Sequence, residues 1–186
     1  MKLDATRSAL LVMDFQTPIV ERHAVGQDEL LAATAGVIAA ARRSAMRVIY
    51  VVVGFRPGLP EISPRNKSFS VIKAAGGIAS DVHPRVAPLA DEVIVTKHRV
   101  SAFAGTDLDM ILRSNDIEAL VLCGIATSGV VLSTLRHAAD VDYRLLVARD
   151  CCSDSDSTVH ACLLDKVFPR QAEVVESADV VRMLAR

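Results

Sequence analysis

Asp14 and Gln16 end a short apolar run, Ser8 to Asp14 (SALLVMD), and Lys97 directly follows another, Glu92 to Thr96. A third run, Ala119 to Gly124 (ALVLCG), opens into Gly124-Ile125-Ala126-Thr127-Ser128-Gly129, and a fourth, Arg144 to Ala148, is followed by Asp150 and Cys151. If these runs are strands of one parallel sheet, the polar residues gather on a single edge, because ligands bind just beyond the carboxyl ends of such strands. A carboxyl, an ammonium and a helix N-terminus meeting there would make a reaction site. Each residue alone has an ordinary explanation. An aspartate ending a strand is often a turn former, a lysine there is usually solvated, and Gly-x-x-Thr-Ser-Gly before a helix serves as an N-cap turn. The turn is not a phosphate loop, since it lacks both the GxGxxG spacing and the Walker lysine. The combination carries the case.

The elements that would position these residues follow from the hydrophobic pattern. Ser8 to Asp14 and Arg47 to Val53 (RVIYVVV) are nearly continuous apolar runs, the mark of strands buried on both faces. Between them, Gln27 to Ser44 places Leu30, Leu31, Thr34, Val37, Ile38 and Ala41 on one helical face. Helices are expected over Thr106 to Ser114, with Thr106 as N-cap, over Ser128 to Asp140 and Ser157 to Phe168, and from Ser177 onward. Ala172 to Val175 is a sixth strand. Gly54 to Ala79, with Pro57, Pro60, Pro64 and several glycines, reads as a long irregular loop, a lid or an oligomer contact. Regular β-α alternation predicts an α/β fold: a three-layer, doubly wound sheet of about six mostly parallel strands with helices on both faces. With no repeat and no linker, residues 1–186 are expected to form a single domain.

The totals bound the function. A chain of 186 residues can bury a core without disulfides or metals, and 51% hydrophobic with 23% charged residues is a globular composition. Twenty-one basic against 22 acidic residues leave a formal charge of -1, so no cationic surplus exists to hold phosphates, and nucleic-acid binding is not expected. The start is polar and no apolar run approaches membrane-spanning length, so a cytoplasmic protein without membrane contact is expected. Cys123, Cys151, Cys152 and Cys162 show no CxxC or Cys/His ligand spacing, so neither a zinc site nor a disulfide framework is indicated and reduced thiols are the default. His83, His98, His137 and His160 read as structural, and no GxSxG elbow starts a serine triad.

Three segments together, LLVMDFQ, TKHRVSAFAGTDLDMILR and GIATSGVVLSTLRHAADVDYR, resemble the isochorismatase-like hydrolases, also called cysteine hydrolases. That superfamily includes nicotinamidases, N-carbamoyl amidohydrolases and isochorismatases, and the resemblance spans nearly the whole chain. It implies that Asp14 is the family aspartate and that Lys97 is the lysine of K-x-x-x-S-A-F, with Ser101 and Phe103 following. It further implies a cis peptide between Ile125 and Ala126, with backbone N–H groups of Ala126 and Val130 lining an oxyanion hole. Phe15, Gln16, Phe55, Ser101, Phe103, Ile125, Ala126 and Thr127 are accordingly expected at the substrate. Dimers or tetramers are common in the superfamily, so a homo-oligomer is expected.

The departure lies at position 130, where the amidase members carry the attacking cysteine and this chain has Val130. Gly129, Val131 and Leu132 do not restore it, so a thioester route has no nucleophile there. The Asp-x-His metal ligands of nicotinamidases would fall at Val53-Gly54-Phe55-Arg56, so no metal and no cofactor is expected. Isochorismatases work without the cysteine: the aspartate protonates an enol-ether carbon, water attacks the oxocarbenium ion and pyruvate leaves. The leading expectation is a hydrolase of this type acting on a small, anionic metabolite, with Asp14 as acid and Lys97 stabilising charge. Arg56 is a candidate for holding a substrate carboxylate. Two alternatives stand beside it: a displaced thiol at Cys151, and a silent member retained for binding or assembly.

Overall fold

The computed structural model describes residues 2–79 and 81–185. Its centre is a six-stranded sheet of order β3-β2-β1-β4-β5-β6, comprising β1 (Ser8–Met13), β2 (Arg47–Val53), β3 (Val93–Lys97), β4 (Ala119–Ile125), β5 (Arg144–Ser153) and β6 (Glu173–Val175). Every neighbouring pair is parallel. The expected doubly wound α/β fold is therefore present, with strand order reversing between β1 and β4.

The strands are apolar throughout because both faces are covered. Along β1, Leu10 and Val12 join one core, while Ala9, Leu11 and Met13 join the other, as period-two alternation requires. The first core packs the sheet against α2 (Gln27–Arg43) and α7 (Ser177–Leu184), and the second against α4 (Leu108–Ser114) and α5 (Leu132–Asp140). All six residues named for the apolar face of α2 are buried. Packing at the switch is close: a Cβ on Gly124 would lie 3.0 Å from Val131 Cγ2 and 3.2 Å from the Met13 carbonyl oxygen. Glycine is what lets β4 lie so near the end of β1.

One element was not assigned from sequence, and three expectations need correction. Seven residues after Gln16 form α1 (Thr17–His23), with Pro18 in the first turn, where a helix tolerates proline. The stretch from Gly54 to Ala79 is not wholly irregular: it contains α3 (Lys67–Ala74), started by Asn66, whose Oδ1 accepts a hydrogen bond from Phe69 N at 3.2 Å. The fifth strand continues to Ser153, so Asp150 does not end it. Both carboxylate oxygens of Asp150 are instead bonded by Ser177, through its backbone N–H and its hydroxyl, at the start of α7. Finally, the helix after β4 opens with a π-helical turn, Thr127–Val131, and α6 (Ser157–Cys162) passes into another, Leu163–Val167.

Smaller shifts are a residue or two at element ends. Thr106 does bond the start of α4, accepting from Leu108 N at 3.3 Å, but the helix begins at Leu108. Among the described residues no helix is long and apolar enough to cross a membrane.

Candidate active site

The chain turns sharply where β1 ends. Asp14 takes φ of 59°, a left-handed conformation that aspartate tolerates better than most residues, while its N–H donates to the Val51 carbonyl at 2.8 Å. Two strands away, Lys97 is the last residue of β3, paired with Val53 of the intervening β2. Its Nζ reaches Asp14 Oδ2 at 2.9 Å, with both side chains almost wholly buried, and also donates to the Arg99 carbonyl at 3.1 Å. Asp14 Oδ1 is buried and has no hydrogen-bond partner among the described residues. Burial pushes the Asp14 carboxyl above its ordinary pKa, against the opposing pull of the Lys97 charge and hydrogen bond.

Across the switch, the Ile125–Ala126 peptide bond is cis. The Ala126 N–H donates to no described residue, whereas the Ala126 carbonyl accepts from Gly129 and Val131. Two side-chain bonds hold this turn. Asp154, just past β5, accepts from Ser128 N at 2.8 Å and Ser128 Oγ at 2.6 Å, and the Thr127 hydroxyl lies 2.8 Å from His160 Nδ1. Burial pushes the Asp154 carboxyl up, but the Ser128 bonds, the Asp156 N–H and the His160 charge together hold it below its usual range, while burial lowers the His160 pKa. Asp154 was not singled out from sequence; its signal was an acid six residues beyond an apolar run whose end was placed too early.

A cavity of about 510 Å³ opens above these groups, touching Asp14, Lys97, Ile125, Ala126 and Val130. Those five expected site residues are brought together, over a Val130 side chain that is itself buried. The other six are not on its wall. Gln16 is fully buried and spends its amide on the backbone: Nε2 donates to the Val53 and Ala79 carbonyls at 2.9 and 2.6 Å, and Oε1 accepts from Val53 N at 2.7 Å. Phe15 packs into the core on the α2 side. Phe55 packs edge-on to Phe69, with ring centres 5.7 Å apart, and lines a separate hollow beside Arg56. Arg56 is tied to Glu61 at 2.6 Å, so it is not a free carboxylate holder. The Ser101 hydroxyl accepts from Phe103 N, Phe103 stacks on His137 at 4.6 Å, and Thr127 is buried against His160. Residues missed from sequence are Arg22 and His23, carried to the cavity by the unanticipated α1, and Phe69 and Ile72, carried there by α3.

The thiols lie elsewhere. Cys123, Cys151 and Cys152 are buried in the sheet, and burial raises the Cys152 thiol well above its usual pKa. Among the described residues no three His, Cys, Asp or Glu side chains converge as a metal-holding group.

Residues 8–179 match the family model described as the isochorismatase domain. The chain belongs to the isochorismatase family. It is 30% identical to the isochorismatase family protein YecD of Escherichia coli O157:H7, covering 99% of this chain and all of that one. It is 28% identical to the maleamate amidohydrolase of Pseudomonas putida, over 96% of this chain and 87% of the relative. An isochorismatase family protein from Burkholderia thailandensis has a similar structure, with a TM-score of 0.87 at 30% identity over 98% of this chain and 97% of that one.

Two stability outcomes follow from this family member's buried polar groups. Gln16→Ala leaves the Val53 N–H and carbonyl without partners, which should cost about 3 kcal/mol in urea unfolding, since each unsatisfied buried group costs roughly 1–3 kcal/mol. Lys97→Met leaves a buried carboxyl with no counter-charge. Its folded pKa then lies further above the unfolded value of about 3.9, so the variant takes up a proton on folding and loses stability as pH rises between the two values. The gap from wild type should be small near pH 4 and widen to about 3 kcal/mol by pH 8. A gap independent of pH would mean that Asp14 is not the group responding.

Proposed function

We propose that this chain is a hydrolase of a small metabolite in which Asp14 donates the proton, Lys97 stabilises charge and no thiol attacks from position 130. The observation that carries the reading is the Asp14 carboxyl on the wall of the cavity: one oxygen is held by Lys97 and the other is buried without a hydrogen-bond partner among the described residues. A general acid must keep its proton near working pH and present it to the substrate. Burial favours the protonated form, and with one oxygen unpartnered no second hydrogen bond holds the carboxyl as the anion.

With an enol ether in the cavity, Asp14 gives its proton to the terminal enol carbon, and the ether oxygen shares the resulting positive charge as an oxocarbenium ion. Water adds to that cation and loses a proton to the Asp14 carboxylate. The hemiketal then collapses to a ketone and an alcohol. Lys97 stabilises the carboxylate while the proton is away, and the unused Ala126 N–H is available to a substrate oxygen. Val130 contributes an apolar floor. Several relatives are amidohydrolases by name, maleamate amidohydrolase among them, which supports hydrolysis of a small molecule while leaving the scissile bond to experiment. The displaced-thiol alternative loses its support, because Cys151 is fully buried and does not touch the cavity. One sheet carries every part of the site, which supports reading residues 1–186 as one catalytic domain.

Pyruvate release from isochorismate tests this directly. Asp14→Asn should lower kcat by about 10³-fold, within the range for loss of a general acid, and Cys151→Ala should match wild type. Because the protonated carboxyl is the active form, kcat/KM should fall as pH rises through a pKa displaced above the usual value of about 4. In Lys97→Met that descending limb should move to higher pH, since the lysine pulls the pKa down. Wild-type protein that binds isochorismate without releasing pyruvate would instead mark a silent member.

A further inference from the structure

The cavity is charged in a way the proton-transfer chemistry does not use. Among the described residues lining it, Asp14 is the one carboxylate, and Lys97 matches it. Arg22 and His23, at the end of α1, are the other ionisable groups on the wall, and Glu21 beside them does not reach it. Arg22 is exposed and its side chain makes no hydrogen bond or ion pair with any described residue, as is also true of Arg43, Arg65 and Arg170, but of these Arg22 alone lines the cavity. Whether Asp14 is ionised or protonated, the lining keeps a net positive charge. Apart from these ionisable groups and Ser68, the side chains on the wall are apolar, Ile19, Val53, Phe69, Ile72, Val100 and Val130 among them.

We infer that Arg22 is the specificity determinant of this cavity, holding the carboxylate of a substrate whose reacting bond lies at Asp14 and whose middle is apolar. The inference deepens the proposed function and rests on that reading of the cavity as the substrate site. Arginine is suited to the task because its planar fork meets a carboxylate with two parallel hydrogen bonds. Arg22 is exposed near the end of α1, whereas Asp14 and Lys97 are buried, so the anion sits at the mouth and the reacting bond at the floor. A cavity of about 510 Å³ accommodates such a molecule with a phenyl-sized body.

The test is binding, so it does not depend on turnover. Isothermal titration of the full chain with 4-phenylbutyrate and with its neutral isostere 4-phenylbutanamide should show the carboxylate bound about tenfold more tightly, the worth of one charge-assisted contact. In Arg22→Gln the two should come within about twofold, Arg22→Lys should keep part of the preference, and Arg22→Glu should favour 4-phenylbutylamine. Arg22 is exposed, so these variants should match wild type in urea unfolding. Equal binding of the two probes by wild type, no binding of the carboxylate, or a preference that survives Arg22→Gln would overturn the assignment. Loss of pyruvate release on Asp14 substitution bears on the acid alone, and the binding preference bears on Arg22 alone.

Discussion

The contact between Asp14 and Lys97 is the constraint to which the rest of the site conforms. It joins the ends of β1 and β3, which are not adjacent: β2 runs between them, and the lysine must pass over its last residues to reach the carboxyl. That passage demands that β2 stop at Val53 and that its final peptide groups be satisfied without a strand continuing above them. Gln16 meets both demands, bonding the Val53 N–H and carbonyl with a side chain that is itself completely buried. The left-handed turn at Asp14 then separates two neighbouring roles. Residue 14 faces the cavity, residue 15 faces the α2 core, and residue 16 closes the end of β2. A buried ion pair earns little stability by itself, because desolvation of both charges offsets their attraction. Its retention at a cavity, with one oxygen left unpartnered, fits a role in chemistry better than one in folding.

The second half of the site depends on topology. Strand order reverses between β1 and β4, so connections leaving the two strands go to opposite faces of the sheet and a crevice opens between them. The turn after β4 fills one side of that crevice. It is tied down by Asp154 through Ser128 and by His160 through Thr127, which fixes the direction of the Ala126 N–H before any substrate arrives. Preorganised donors act without the reorganisation that solvent would need, which is why such turns suit developing negative charge.

How far this could be read from the chain itself varied with how local the cause was. Buried parallel strands leave unbroken apolar runs, so β1, β2 and β4 were legible almost to the residue, and the sheet edge they define led to Asp14, Lys97 and Ala126. Helices of seven or eight residues leave only two turns of pattern; α4 and α7 were still legible, whereas α1 carries Pro18 in its first turn and α3 follows a proline-rich stretch, and neither was assigned. The cavity wall was hidden for the same reason, since Arg22 and Phe69 arrive on those two helices. Gln16 shows a different limit. A glutamine just past a strand looks like a substrate contact, and only the position of β2 reveals that its amide is consumed by backbone. The fifth strand ran on through Arg149 and Asp150 because Ser177 satisfies the aspartate from the side, a long-range contact with no trace in the local pattern.

Val130 and Asp14 are best understood together. A thiol at the cavity floor would need a base to remove its proton, so an aspartate beside it would have to be ionised to serve. An isopropyl group at that position removes the requirement. It adds no charge and no hydrogen bond to a wall where burial already raises the Asp14 pKa, so nothing on the side chain of residue 130 calls for an ionised aspartate. Lys97 limits how far this goes, because its charge favours the carboxylate at 2.9 Å. In the proposed reading the two neighbours set opposing terms on one group: apolar burial keeps the proton available, and the ammonium makes the conjugate base tolerable once the proton has left. An acid with only the first would hold its proton too tightly to give it up, and one with only the second would have lost it before the substrate came.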